Sequence, residues 1–255
     1  MIMEKVVAAA QPALAGRTVK DLLIGISLLA VELDNGAVGV SYVLRDGLPN
    51  GCSAFPFAQS TIGKSAQEVG DWYLTGANDL QRAVASAVFC AASQDLPIPD
   101  EDMSGLPFGL KLNGRETVAM VGLIAPIAKA LESAAGKMLV FDKGMELHGG
   151  NKMLSPCDKM PELLPEADVV IFSGTTTING SIDGLLELCP KAKEVILVGS
   201  STPMFPAGWQ DSRVTRLAGS WWKNENKNEL FKAISLGCGI GYIGNYMIKK
   251  TALVK

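Results

Sequence analysis

His148 is the only histidine among 255 residues, and so the only side chain whose ordinary titration falls near neutral pH. It sits in a glycine-rich stretch, GMELHGGNK, on the connection leaving an expected strand end. Asp142 lies six residues before it. No nucleophile paired with a base can be read from the chain, so acid–base work would fall to His148 or Asp142. Whether the protein is an enzyme stays open on that basis. Asp142 also stands twenty residues after a strand-ending glycine, Gly122, the spacing at which an acid accepts a ribose hydroxyl. A strand-end acid facing water is the other reading. Cys157 falls near an expected helix start, where a thiolate is favoured. With His148 and Asp142 it could form a soft metal site; packing at the helix start is the alternative.

Binding chemistry is written more densely than bond-breaking chemistry. The run EADVVIFSGTTTINGSID, residues 166–183, reads as a buried strand, a turn of small residues and a helix. Val and Ile without polar alternation mark a parallel strand covered on both faces. The turn offers Ser173, Gly174, Thr175, Thr176, Asn179, Gly180 and Ser181. A second turn after a buried strand offers Gly199, Ser200, Ser201 and Thr202. A third, between Gly122 and Pro126, opens a helix, with proline suited to the first helical turn. These hydroxyls and amides donate and accept without charge, which suits a polar heterocycle, a carboxylate or a phosphate. Ordinary Ser/Thr turns and helix caps are the competing account. Gly239, Gly241 and Gly244 spell GxGxxG but follow a helix, so the dinucleotide fingerprint does not apply. The cofactor is left undetermined.

The elements that would position these turns fall into two groups. Residues 1–15 predict a helix, 22–33 a strand and 36–44 its antiparallel partner, with Asp34-Asn35-Gly36 as the tight turn between them. Residues 45–64, with Gly47, Pro49, Gly51 and Pro56, read as loop. Two helices follow from Ser65, broken near Gly76, the second capped by Asn78. Residues 95–115 hold three prolines and read as a linker. Beyond them strands are expected at 117–122, 137–142, 168–172, 194–199 and 214–218, alternating with helices and ending in a helix over 224–236. The expected fold is α/β: a small α+β domain over 1–105, then a doubly wound, mostly parallel, Rossmann-like domain over 106–255.

Composition narrows the partners. Net charge is −3, from 23 basic and 26 acidic residues, without the basic block that nucleic acid requires. No apolar run reaches the 18 or so residues of a membrane span. Ala13-Leu14-Ala15 resembles a signal-peptidase site, but the apolar run before it is short and Glu4 is acidic, so a first helix of the fold is the reading taken. The five cysteines are scattered and form no CxxC pair, which suits reduced thiols in the cytoplasm.

The run LPEADVVIFSGTTTINGSIDGLL, with VGSSTPMFP and VGLIAP at 121–126, resembles the family labelled "putative heavy-metal chelation". The resemblance covers nearly the whole chain. It implies an enolase-N-terminal-like domain joined to a Rossmann-like domain, with a site between them. It departs from the family pattern at Ser200, where proline is expected, and at Lys143-Gly144 after Asp142, where Glu followed by a polar-proline run is expected. The implied function is small-ligand binding, or an enzyme, in heavy-metal chelation or chelator metabolism. A nucleotide- or adenosyl-cofactor enzyme and a protein that sequesters metal directly are the alternatives. The expected partner is a small molecule, a metal or a metal chelate, and the sequence leaves room for a homo-oligomer.

Overall fold

A computed structural model describes residues 1–48, 53–149 and 152–254. Pro49, Gly51 and Cys52 of the expected 45–64 loop lie outside the described residues, as do Gly150 and Asn151 beyond His148.

The N-terminal domain opens with α1 (Ile2–Leu14), whose Val6, Val7, Ala10 and Leu14 form its buried stripe. The chain reverses at Gly16, with φ +74°, and enters a three-stranded antiparallel meander: β1 (Val19–Ile24), β2 (Leu28–Leu33) and β3 (Val38–Tyr42). Residues 22–33, read as one strand, are two. The break comes at Gly25, whose N–H donates to Leu28 O at 2.9 Å. A Cβ at Gly25 would lie 2.5 Å from the carbonyl oxygen of Ile234, so only glycine fits at that turn. The Asp-Asn-Gly turn forms as expected, with Gly36 at φ +86° and its N–H on Leu33 O.

Short helices α2 (Ala58–Thr61), α3 (Ala66–Gly70) and α4 (Trp72–Thr75) lead to α5 (Asp79–Ala92). Asn78 caps α5 by accepting from Gln81 N at 3.0 Å. Small side chains let α5 come unusually near β3: a Cβ on Gly39 would fall 1.9 Å from Ala87 O. The stretch expected as a linker is laid along the last strand. Glu101 N donates to Lys249 O at 2.9 Å and Lys250 Nζ to Ile98 O at 3.1 Å, the Lys250 ammonium lying 3.8 Å over the Trp221 ring.

The second domain is a six-stranded sheet in the order β5-β4-β6-β7-β8-β9. Its strands are β4 (Thr117–Val121), β5 (Lys137–Phe141), β6 (Val169–Ser173), β7 (Glu194–Val198), β8 (Arg216–Trp222) and β9 (Met247–Leu253). The first five are parallel, with Met120 beside Ile171 and Ile171 beside Ile196. The antiparallel β9 was not expected: MIKKTAL lies at one side of the sheet and carries two lysines, so its apolar signal is weak. The connecting helices are α6 (Ala125–Glu132), α7 (Lys143–Leu147), α8 (Met160–Leu163), α9 (Thr175–Ile178), α10 (Ile182–Glu187), α11 (Lys227–Ser235) and α12 (Ile240–Ile243). The GxGxxG letters span α12, with no strand leading into them. One core runs through both domains, joining Val31 and Phe89 to Val170, Phe172 and Leu197.

Candidate functional site

Parallel strands deliver the turns that follow them to one edge. β4 leads outward to β5 and the chain then returns to β6 on the other side of β4, so the topological switch point lies between β4 and β6. Gly122 there has φ +87°, and a Cβ on it would lie 2.6 Å from Ser173 Cβ. Asp142 ties the turn together. Its Oδ2 accepts from Leu123 N at 2.8 Å, and its Oδ1 caps α7 by accepting from Met145 N at 2.9 Å.

The turn after β6 is a short helix rather than an open loop. Thr175 Oγ1 donates to Ser173 Oγ at 2.9 Å, while Thr176 and Thr177 return their hydroxyls to Ser173 O and Gly174 O, each at 2.7 Å. Thr176 and Thr177 are buried. The part that faces outward is Ser173 and Thr175, half-buried, then Asn179, Gly180 and Ser181, exposed. Asn179 Oδ1 accepts from Ser181 N at 3.1 Å and Ser181 Oγ at 2.7 Å. Pro126 stands in the first turn of α6, as its type requires.

The turn after β7 departs from expectation. Ser200, Ser201 and Thr202 are buried, sealed under the N-terminal domain. Ser201 Oγ accepts from Tyr42 N at 2.9 Å and lies 3.1 Å from Ser41 Oγ; Ser86 Oγ donates to Ser201 O at 3.1 Å and Cys90 Sγ to Ser200 O at 3.0 Å. The cause is the small-residue face of α5, which lets β3 and the helix close on this turn. Burial pushes the Cys90 thiol up to about 12, so it serves as a neutral donor. Ser200 Oγ and Thr202 Oγ1 have no partner. Gly199, with φ +120°, begins the turn.

The N-terminal domain also reaches the β6 turn from the side. Arg82 donates from Nε to Ile178 O at 2.6 Å and from Nη1 to Gly76 O at 2.8 Å, and pairs with Asp79. Tyr73 OH lies 3.2 Å from Thr177 Oγ1. Asp46 meets His148 across the domains, Oδ1 to Nε2 at 3.5 Å, with both side chains exposed. Asp46, Asp79 and Arg82 were not singled out from sequence. They look like surface charges until the domains are placed together.

Residues 106–253 match the model of the DUF364 family, described as "Putative heavy-metal chelation". The chain belongs to the DUF364 family. Residues 7–93 match a second model, DUF4213, of the same description. The fold is that of a DUF364 protein of unknown function from Pyrococcus horikoshii, with TM-score 0.81 at 22% identity over 99% of this chain and 100% of that one. A DUF364 protein of unknown function from Desulfitobacterium hafniense gives 0.74 at 15% identity over the same shares. An uncharacterised protein of Methanocaldococcus jannaschii is 30% identical over 102 residues, 40% of this chain, and the match spans 39% of that relative's length.

Heavy metal as cargo for a DUF364 protein calls for converging soft donors. Asp142 and Glu146 lie near Cys157, at the start of α7 and along it, while His148 caps its other end. Burial pushes the Cys157 thiol up to about 11, and the Glu146 and Asp142 carboxylates add to the shift. The thiolate expected at this helix start is therefore disfavoured, by burial first and by the Glu146 and Asp142 carboxylates beside it. Among the described residues no three of His, Cys, Asp and Glu are placed to hold a metal ion. The donors among the described residues do not fit a bare ion. A cavity of about 390 Å³ lies at the opposite, amino edge of the sheet, where Arg216 holds Glu194 with two N–H groups at 3.1 and 3.0 Å. Among the described residues no helix is long and apolar enough to cross a membrane.

Proposed function

We propose that the protein binds a small polar molecule in the crevice between its domains, beside the β4–β6 switch point, and that its role is to handle a metal as a chelate. The reading is supported by the meeting of Arg82 and Asp46 with the β6 turn and α7 at the edge where doubly wound sheets take ligands. The outward groups of that edge, Ser173, Thr175, Asn179 and Ser181, orient a ligand rather than break bonds. His148 and Asp142 stand at the rim. The family description supplies the link to heavy metal, and the scattered donors favour a complexed over a naked ion.

Isothermal titration with copper(II), alone and as its diamine complex, tests this. The complex is expected to bind and the bare ion to leave no saturable signal. Asn179→Ala should weaken the complex by roughly 1–3 kcal/mol through the lost polar partner, while folding stability changes by about 0.5 kcal/mol or less, as at other exposed sites. Saturable binding of the complex that is indifferent to Asn179 and Ser181 replacements would place the site elsewhere.

A further inference from the structure

A turn that grips phosphate does so with successive unpaired backbone N–H groups at a helix start. The switch-point turn has the glycine and the helix for this, but its donors are already committed. Gly122 N donates to Phe141 O at 2.8 Å, Leu123 N to Asp142 Oδ2 at 2.8 Å and Ile124 N to Met120 Sδ at 3.4 Å. Pro126 has no N–H, and Ile127 N returns to Ile124 O at 3.0 Å. Ala125 alone is left.

We propose that Asp142 occupies, as a built-in anion, the place a phosphate would take in this turn. The crevice therefore accepts a ligand that is uncharged or cationic on that side, and Asp142 is the residue that sets the choice. This rests on the reading of the crevice as the binding site.

Asp142 cannot swing aside cheaply. One oxygen caps α7 and the other holds the turn, so leaving would strand two N–H groups. The turn has little room to shift toward β6 either, since a Cβ added at Gly122 would lie 2.6 Å from Ser173 Cβ. A second carboxylate, Glu146, follows one helical turn later and accepts from Cys157 N at 3.2 Å, adding like charge. Arg82, the half-buried cation brought from the other domain, is paired with Asp79. Lys143 follows Asp142 in the chain but is exposed, where solvent screens it. A dinucleotide, whose pyrophosphate needs these amides, is turned away. A cationic metal complex is not.

The full chain, labelled with ¹⁵N and titrated with inorganic pyrophosphate, provides the test. In the natural protein the Leu123 and Ala125 amides should not move at millimolar concentrations. Asp142→Asn, which keeps an acceptor but no charge, should bind pyrophosphate at least tenfold more tightly, with shifts at those two amides. Asp142→Ser, which still caps α7 and frees Leu123 N, should do the same, so the test survives if the Asn variant folds poorly. Pyrophosphate binding at these amides in the natural protein, or equal affinity in all three proteins, overturns the role of Asp142. Failure of the copper–diamine complex to bind would leave this contrast standing and count only against the chelate reading.

Discussion

Gly174→Ala measures how firmly the turns after β6 and β7 are locked together. An added Cβ would sit 2.7 Å from both Ser201 C and Thr202 N, and 3.0 Å from Ser201 O. Ordinary contacts begin near 3.4 Å, so the turns must separate by several tenths of an ångström. The obstructing atoms are backbone, and they are held from behind: Ser201 by Tyr42 N, Ser41 and Ser86, Ser200 by Cys90. Overpacking of this kind costs about 1–3 kcal/mol, and a neighbour that cannot give places it at about 2–3 kcal/mol. For a chain of this size that lowers Tm by roughly 5–10 °C. Gly184→Ala is the control. It lies exposed within α10 with open space around its would-be Cβ, so alanine should stabilise by up to about 1 kcal/mol through helix propensity. Urea unfolding of both variants against the natural protein reads the difference. A Gly174→Ala midpoint within 0.5 kcal/mol of natural, at unchanged slope, would refute the claim that these turns are rigidly joined.

Two further outcomes follow from the charges. Burial pushes the Glu32 carboxyl up, but the ammonium groups of Lys227 and Lys20 outweigh it and hold the group below its ordinary 4.5. The stability it contributes is complete above that value and lost as pH falls through the lower folded one. Lys227 is shifted upward by Glu32 and Asp21 against burial, so its share is complete below 10.5 and lost only above it. Lys227→Met should cost about 2–3 kcal/mol at pH 7, less than a fully stranded buried charge because Lys20 remains, and should flatten the acid and alkaline limbs of a stability–pH curve; unchanged limbs would show that the pair does not act. Cys157 should alkylate with iodoacetamide at pH 8 far more slowly than a free thiol, and Glu146→Gln should speed it roughly threefold or more by removing one of the opposing charges, followed by mass spectrometry of its peptide. Labelling at the free-thiol rate in the natural protein would contradict the environment described.

Local signals were legible where a short stretch decides its own shape. Asp34-Asn35-Gly36 makes its hairpin and Asn78 its cap because each satisfies backbone groups three or fewer residues away. The runs TVAMV, VVIF and VIL make parallel strands because both faces are covered. What depended on a distant partner was not legible. The turn at Gly25 has Ile234 packed so close that only glycine fits, and that neighbour lies more than two hundred residues away. Ser200, Ser201 and Thr202 read as an open polar turn, yet the small-residue face of α5 seals them, and an Ala-rich helix does not say what it will cover. Asp142 read as a ribose acceptor or a water-facing acid, and neither reading foresees its bond to Leu123 N, nineteen residues away. Asn179, Gly180 and Ser181, which the sequence offers as ligand-binding residues, are exposed in the turn after β6.

The tie between Glu32 and Lys227 spans 195 residues. Synthesis at about 5–20 residues per second leaves roughly 10–40 s between the two reaching the ribosome exit. Through that interval the N-terminal module holds a carboxylate destined for burial with only Lys20 beside it. The face of α5 that later meets Ser200 and Ser201 stays wet, and Gly25 has no helix to receive. The N-terminal module therefore waits on the second, and α11 and β9, made later, close the structure over elements that emerged before them.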